Sequence, residues 1–317
     1  MSLWRRIRAR VTDDLTVAAI PVFFATMGIE HLVLKRRIAA IESGRRRPDS
    51  TPGGEPIVPL GYEKRDTLAS LAMGVGSLVA GPISARVLRR TVRWLARHRL
   101  ADLGRRKHAL WVAVLAWDFL YYWDHRWSHE VHLFWASHEN HHSSDRYNLS
   151  TALRQSWTGI LTSWVYFPLT LAGFTPAQKE AARGINLLYQ YWFHTEAIAT
   201  LPRPVELVLN TASHHRVHHG RDPEYLDRNY GSILIIWDRL FGTFEPEGRR
   251  VRYGLTKPVG TYNPLRIATH EFVRIGHNVA ASRSWGDRFR SVLGPPGFTP
   301  SQIPDHPPTG ALATPGR

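Results

Sequence analysis

Histidine is the residue through which this chain could do chemistry, and its placement is uneven. Of 17 histidines in 317 residues, 11 lie between His125 and His219, and eight of those form three boxes. The first, His125-Arg-Trp-Ser-His129, sets two imidazoles at i and i+4 on one helix face. His138-Glu-Asn-His141-His142 and His215-Arg-Val-His218-His219 each set three at i, i+3 and i+4 within a single turn. Such spacing lets two or three ring nitrogens converge on one cation. A lone His-x-x-x-His pair is ordinary on a solvated helix, but three boxes in one stretch call for another explanation. Eight imidazoles exceed the three or four protein ligands of a single zinc site. That leaves two ions, or one ion with several spectators, and two ions is the expectation. Imidazole binds Zn, Cu, Fe and Ni alike, so ligand type alone does not name the metal.

Further candidates stand around the boxes. His194, in Tyr-Trp-Phe-His-Thr-Glu, could reach the same site or be a satisfied core histidine; ligation is the expectation. His214 could pair with His218 at i, i+4 or stand behind a ligand. His132 belongs to no box and reads as a bystander, while His98, His108, His270, His277 and His306 read as surface residues. A metal-bound imidazole usually donates its other N–H to an acceptor that fixes the tautomer. Asp118, two turns before His125 in an apolar helix, is the first candidate for that acceptor, with a helix-packing hydrogen bond as the alternative. Glu130, Glu139 and Asp145 flank the first two boxes, where each could be ligand, proton relay or cofactor contact; Glu130, beside His129, is the catalytic candidate. Glu30 and His31 form an ionisable pair near the end of an apolar segment, a functional suspect in a membrane, although snorkelling to the interface explains it as well.

These residues need elements to hold them. Crossing a bilayer takes about 20 mostly apolar residues, and Leu15 to Leu34, Thr67 to Ala85, Ala109 to Tyr122 and Trp157 to Phe174 approach this, with Ala182 to Ile198 weaker. Thr67 to Ala85 and Trp157 to Phe174 carry no charge at all. Buried helices of a soluble protein are the alternative. The expected fold is all-α, a multi-pass membrane helical bundle with the histidine site at the membrane face. Lys35 to Arg65, rich in Gly and Pro, reads as a flexible loop. Arg86 to Lys107, with Val87, Leu88, Val92 and Leu95 among arginines, reads as a helix lying on anionic headgroups. Both stretches are strongly positive, so charge bias does not fix orientation; the active site is expected to face the cytoplasm.

Three regions follow: an N-terminal membrane anchor and basic loop (1–64), a membrane-embedded domain (65–290) and a Pro/Gly-rich disordered tail (291–317). Arg5, Arg6, Arg8 and Arg10 precede an apolar stretch without a small-residue cleavage pattern, which reads as an anchor and not a cleaved signal. The net charge of +15 suits anionic lipid headgroups. It does not suit nucleic acid, because the arginines alternate with apolar segments instead of forming one basic face. The absence of cysteine excludes disulfides, iron–sulfur clusters, thiolate-ligated haem and cysteine nucleophiles. For the boxes to meet, Trp157 to Ile198 must leave and return as a helical hairpin, bringing residues 125–155 and 194–219 to one side. Trp117, Tyr121, Tyr122, Trp123, Trp127, Tyr191 and Trp192 would then form an aromatic band near the headgroups, or else pack as ordinary core.

Two stretches carry a family likeness. HRWSHEVHLFWASHENHHSSDRYNLSTALRQ (125–155) and NTASHHRVHHGRDPEYLDRNYGSILIIWDRLFGTFE (210–245) resemble the fatty acid hydroxylase/sterol desaturase superfamily. The boxes specify only the superfamily; the sequence between them is most similar to its ether-lipid branch, which acts on alkylglycerols. The likeness runs from RDTLASLAMG near Arg65 through YQYWFHTE and YGLTKPV to GPPG near residue 297. It implies an integral membrane monooxygenase with a diiron centre, dioxygen as oxidant and a tetrahydropterin as reductant, with a ferredoxin-type electron-donor protein as the alternative. The implied reaction hydroxylates the carbon beside a lipid ether oxygen, and the hemiacetal collapses to a fatty aldehyde and a glycerol derivative. Sterol, carotenoid and fatty acyl hydroxylation or desaturation are the alternatives within the superfamily, and a non-catalytic membrane metal-binding protein the alternative outside it. By the match, His125, His129, His138, His141, His142, His215, His218 and His219 become metal ligands, His194 is added to them, and Glu130 falls at the acidic position after the first box. Ala212 stands where a proline is expected before the third box, which bears on loop shape. Nothing in the sequence marks a pterin pocket.

Overall fold

The computed structural model describes residues 14–104 and 108–300. The N-terminal arginines, Lys107 and residues 301–317, His306 among them, lie outside the described residues; the tail expected from 291 is corrected at its start, because residues 291–293 close a helix that begins at Trp285. Helices dominate: α1 (Ile20–Glu42), α2 (Lys64–Arg97), α3 (Ala109–Glu130), α4 (His132–His142), α5 (Pro176–Phe193), α6 (Ala212–His218), α7 (Pro264–Ala281) and α8 (Trp285–Leu293). Among the described residues the one sheet is a two-stranded antiparallel ribbon, Asp49–Ser50 against Pro56–Ile57.

Local chemistry sets the helix starts. Thr175 caps α5 through a reciprocal capping box with Gln178, with Pro176 as the first helical residue. Asn263 caps α7 ahead of Pro264, and the Glu63 carboxylate accepts the Asp66 amide at the start of α2. Val131, in extended conformation, breaks the chain between α3 and α4. That single residue separates the first box from the second by a change of direction. Ala212 is the first residue of α6, a position a proline would also fill without loss of a hydrogen bond, so its departure from the family pattern leaves the third box intact.

α3 lies along both α5 and α4. Its first half packs Ala109 and Ala113 against Leu169, Phe174 and Ala182. Phe23 and Met27 of α1 meet Leu149, Ala152 and Tyr191, and Ala69 and Met73 of α2 meet Ile267 and Ala268 of α7. Fully burying a large apolar side chain contributes about 1.5–3 kcal/mol, so these clusters are what fix the helices that carry the boxes.

Several expectations require correction. Lys35 to Glu42 continues α1 as helix, so the basic loop begins only at Ser43 and contains the short ribbon. Arg86 to Arg97 is the second half of α2, not a separate surface helix, even though Pro82 lies inside it; the loss of one backbone donor does not break a helix of 34 residues. Trp157 to Phe174 is not a continuous span. Gly159, Pro168 and Gly173 punctuate it into 3-10 turns at Gly159–Leu161 and Ser163–Tyr166 and a short helix, Phe167–Ala172. The outward leg of the expected hairpin is therefore irregular, and only the return leg, α5, is a full helix. Among the described residues, one helix is long and apolar enough to cross a membrane: α2, with 17% of its most apolar window buried. In the aromatic group, Tyr122 and Tyr191 are core residues, Trp117 stacks on Tyr166 at 4.1 Å, and Trp192 is exposed.

Candidate metal centre

All nine histidines expected as ligands converge, but not box by box. One cluster joins His125, His129, His138, His142 and His218, a second joins His141, His194, His215 and His219, and in each the facing ring nitrogens lie within 4.8 Å of one another. Helical geometry explains the sorting. Residues at i and i+4 project some 40° apart, whereas the i+3 residue points about 100° away from the i+4 residue. The pairs His125/His129, His138/His142 and His215/His219 each stay together, while the i+3 residues His141 and His218 cross to the other cluster. The second and third boxes therefore divide their histidines between the two clusters instead of converging whole on one cation. The clusters adjoin: the His142 and His219 rings are 4.4 Å apart between centroids, and those of His215 and His218 4.9 Å.

The chemistry of these nitrogens fits metal ions. His125 Nδ1 lies 2.8 Å from the Tyr230 carbonyl, His218 Nδ1 2.8 Å from that of Arg228, His194 Nδ1 2.7 Å from that of Gln190 and His141 Nδ1 3.3 Å from that of Arg154. A carbonyl only accepts, so each of these Nδ1 atoms carries the proton and each neutral ring turns a bare Nε2 lone pair inward. Yet His194 Nε2 faces His141 Nε2 at 3.2 Å, and His125 Nε2 faces His138 Nε2 at 2.9 Å. The chain of close Nε2 pairs continues through His194–His215 (3.0 Å), His215–His219 (3.1 Å) and His138–His142 (3.1 Å). Between His141 and His194 two lone pairs oppose each other with no proton to share, and a cation is what relieves that repulsion. Two nitrogens bound to one ion at about 2.0–2.1 Å stand about 2.9–3.4 Å apart, the spacing found. His129 Nε2 and His218 Nε2 are buried with no hydrogen-bond partner, as metal-directed atoms would be. Burial, and then the neighbouring imidazoles, hold His138, His142, His215, His218 and His219 well below the usual imidazole range, keeping them in the neutral, ligating form.

The acceptors behind these four rings were not legible in the sequence, because they are main-chain carbonyls and every residue has one; His129 Nδ1 instead lies 3.4 Å from the Asp227 carboxylate. Asp118 is not among them. Its carboxylate accepts from Ile233 N (2.7 Å), Leu234 N (3.3 Å), Trp237 Nε1 (2.8 Å) and Asn186 Nδ2 (3.1 Å), so it ties α3 and α5 to the 233–237 segment. The loop that supplies the Arg228 and Tyr230 carbonyls holds Asp227 and Asn229 in the left-handed region, at φ of 58° and 57°, a conformation Asn and Asp tolerate better than other side chains. Asn229 is locked there by donating to the His214 and Glu245 carbonyls (3.0 and 2.8 Å) and accepting from the Glu245 amide (2.9 Å). Tyr230 was also missed. It is fully buried, its hydroxyl has no partner, and its ring centroid is 5.3 Å from that of His129.

Other candidates take supporting places. Arg216, between the ligands of the third box, is buried, bonds Glu247 through Nε (2.9 Å) and a terminal nitrogen (2.6 Å), and donates to the carbonyls of Ile198 (2.6 Å) and Ala199. That clamp fixes α6 to the segment after His194. His214 pairs with Glu206 at 2.8 Å, outside both clusters. Glu30 is buried and accepts from the Leu149 amide (2.9 Å), Tyr62 and Thr195, so it braces the residue next to His194, whereas His31 is exposed. Glu130 ends α3, where its half-exposed carboxylate pairs with Arg126 at 2.8 Å; it belongs to neither cluster. Asp145 is exposed. Glu139 faces away from the boxes toward His270 at 3.1 Å, so His270 is a half-buried partner and not the surface residue expected. Glu139, His270 and Glu271 form a third close group, but His132 (2.6 Å) and Arg274 already neutralise Glu271. His132 is held at both nitrogens, Nε2 against Glu271 at 2.6 Å and Nδ1 against the Ser291 carbonyl at 2.8 Å. This group is an ion-pair knot joining α4 to α7.

A helical scaffold with nine inward imidazoles in two adjoining clusters defines a metal-binding, histidine-box class of protein. Within that class the fatty acid hydroxylase family model matches residues 110–243. Human alkylglycerol monooxygenase is 49% identical over 192 residues, 60% of this chain and 42% of that protein. The protein of the same name from Xenopus tropicalis is 46% identical over 193 residues, 61% of this chain and 43% of that one. An ornithine lipid hydroxylase of Rhizobium tropici is 28% identical over 146 residues, 45% of this chain and 44% of that one. The chain thus spans less than half the length of these curated relatives. No solved structure matches it significantly.

Proposed function

We propose that this chain is an integral membrane monooxygenase that uses two histidine-held iron ions and dioxygen to hydroxylate a lipid, and that its substrate is an alkylglycerol, attacked at the carbon beside the ether oxygen. The observation that carries this reading is the pair of opposed bare Nε2 atoms on His141 and His194 inside a set of nine buried or half-buried imidazoles. The names of the relatives at 46–49% identity support the ether lipid over other substrates. When bound, iron would supply the oxygen-activating redox chemistry. His125, His129, His138, His142 and His218 would hold one ion, and His141, His194, His215 and His219 the other. The protein's own part is to keep those rings neutral, aim them through fixed carbonyl acceptors, and exclude water.

Multi-pass insertion is part of the same reading. α2 is about 51 Å long, more than the ~30 Å hydrocarbon core requires, and it leaves Leu68, Val75, Leu78, Val79, Ile83 and Val87 exposed. α1 exposes Phe24, Ile29 and Leu32, and the first half of α3 exposes Trp111, Val112 and Leu115. These faces suit lipid acyl chains. The test is metal analysis with Mössbauer spectroscopy on detergent-purified protein, coupled to aldehyde release from an alkylglycerol with reduced tetrahydropterin and then with a reduced ferredoxin system. Two irons per chain and aldehyde with either donor is the expected result. Zinc alone, with no oxygen consumed under either donor, would refute the reading.

A further inference from the structure

α8 is amphipathic the wrong way round for a helix in water. A surface helix of a soluble protein turns its apolar stripe inward. Here the inward residue is Ser291, fully buried, with its hydroxyl on the Asp287 carbonyl at 2.7 Å. The stripe at i, i+4 and i+8 points out instead: Trp285 is 82% exposed, Phe289 64% and Leu293 41%. This orientation is not loose. The Ser291 and Gly294 carbonyls accept from His132 Nδ1 (2.8 Å) and the His132 amide (2.9 Å), so α8 is pinned to the first residue of α4, the helix that ends in the second box. At its other end the Ser284 hydroxyl accepts the Asp287 amide at 3.0 Å and caps the helix.

Charge indicates what covers the face. Arg283 and Arg290 are exposed beside it, and the Arg288 guanidinium lies 4.9 Å over the Trp285 ring, against one acid, Asp287, in the helix. An aromatic-aliphatic stripe edged by arginines suits the boundary between anionic headgroups and acyl chains, and a Trp under a guanidinium is stable at that depth. The position agrees. α7, which leads into α8, packs Ile267 and Ala268 on Ala69 and Met73 in the first turns of α2. In those same turns Asp66 pairs with Arg154, whose carbonyl holds His141. The histidines and the start of α7 are thus both tied to the N-terminal end of the apolar helix, and α8 follows at the far end of α7.

We propose that α8 is an interfacial helix whose Trp285–Phe289–Leu293 face lies in an anionic bilayer surface, holding α4 and the second box at headgroup depth, where an alkyl chain can pass from membrane to metal centre. The inference rests on the membrane reading given above, and the experiment separates the two. Because the chain has no cysteine, Phe289→Cys and Val79→Cys, each in the full chain, take a single spin label. In nanodiscs of phosphatidylcholine with phosphatidylglycerol, power saturation compares collision with oxygen and with a polar nickel chelate. The expected label at 289 collides several-fold more with oxygen than with nickel and sits shallower than the label at 79. Omitting phosphatidylglycerol moves it toward water; no such shift would overturn the anionic-lipid assignment. A nickel-accessible 289 beside a lipid-buried 79 overturns the role of α8 and leaves the membrane reading standing. A nickel-accessible 79 overturns the membrane reading, and this inference with it. A 289 label shielded from both reagents means that another protein surface, such as a second copy, covers the face, and this too overturns the proposal. Leu293→Cys repeats the measurement on the same stripe should Phe289→Cys fail to fold.

Discussion

The five-histidine cluster draws four of its members from α3 and α4, neighbours in sequence joined by the single residue Val131, and borrows only His218 from α6. The four-histidine cluster takes His141 from α4, His194 from the end of α5 and His215 and His219 from the third box, so three elements far apart in the chain must meet. Their braces differ in the same way. Behind the first stands a loop in which two left-handed residues, Asp227 and Asn229, turn the Arg228 and Tyr230 carbonyls onto His218 and His125. Behind the second stand the helical Gln190 carbonyl and the Arg154 carbonyl, the latter anchored by the Arg154–Asp66 pair, with the Arg216–Glu247 clamp fixing the segment after His194. A locally assembled site thus depends on a strained loop, and a site assembled over long range depends on buried charge.

The sharpest way to break this comparison uses the neighbours that part company in the third box. His218→Ala should empty the five-histidine site and His215→Ala the four-histidine site, each lowering metal from two ions per chain to about one. Loss of both ions from either variant would show that the two clusters bind as one unit. Asn229→Ala removes the lock on the left-handed loop without touching a ligand. Loss of a group behind a ligand costs about 10- to 100-fold in metal affinity, and the comparison places that loss in the five-histidine site alone, read by chelator competition with each site monitored in the His215→Ala and His218→Ala backgrounds. The smallest effect on metal belongs to Glu130→Gln. Its carboxylate pairs with Arg126 and joins neither cluster, so both ions should stay while aldehyde release falls. Turnover equal to wild type with both the pterin and the ferredoxin donor would remove Glu130 from the catalytic set.

The i, i+3, i+4 spacing of the boxes was enough to name eight of the nine converging histidines, because helical periodicity is a property of sequence and three of the four ligand-bearing stretches are short and local; His194, outside the boxes, was named from its neighbourhood. The residues around the boxes carry the likeness to the fatty acid hydroxylase family, and uncharged composition marks the apolar run of α2. How the nine divide was settled only in three dimensions. Helical spacing sets His141 and His218 apart from the i and i+4 pairs of their boxes, but which cluster each one joins follows only from where α4 and α6 point when packed. The same holds for the acceptors behind the rings. Asp118 looked suitable from two turns away, yet its lone pairs were claimed by Ile233, Leu234, Trp237 and Asn186, while unremarkable carbonyls took the role. The uncharged run from Trp157 to Phe174 looked like a span, but hydropathy sums composition and is blind to Gly159, Pro168 and Gly173, which break the backbone there. Composition and period decide which residues can form a helix and which can bind a metal. Packing decides which way each helix face turns, and with it which lone pairs are left to oppose one another across a buried gap.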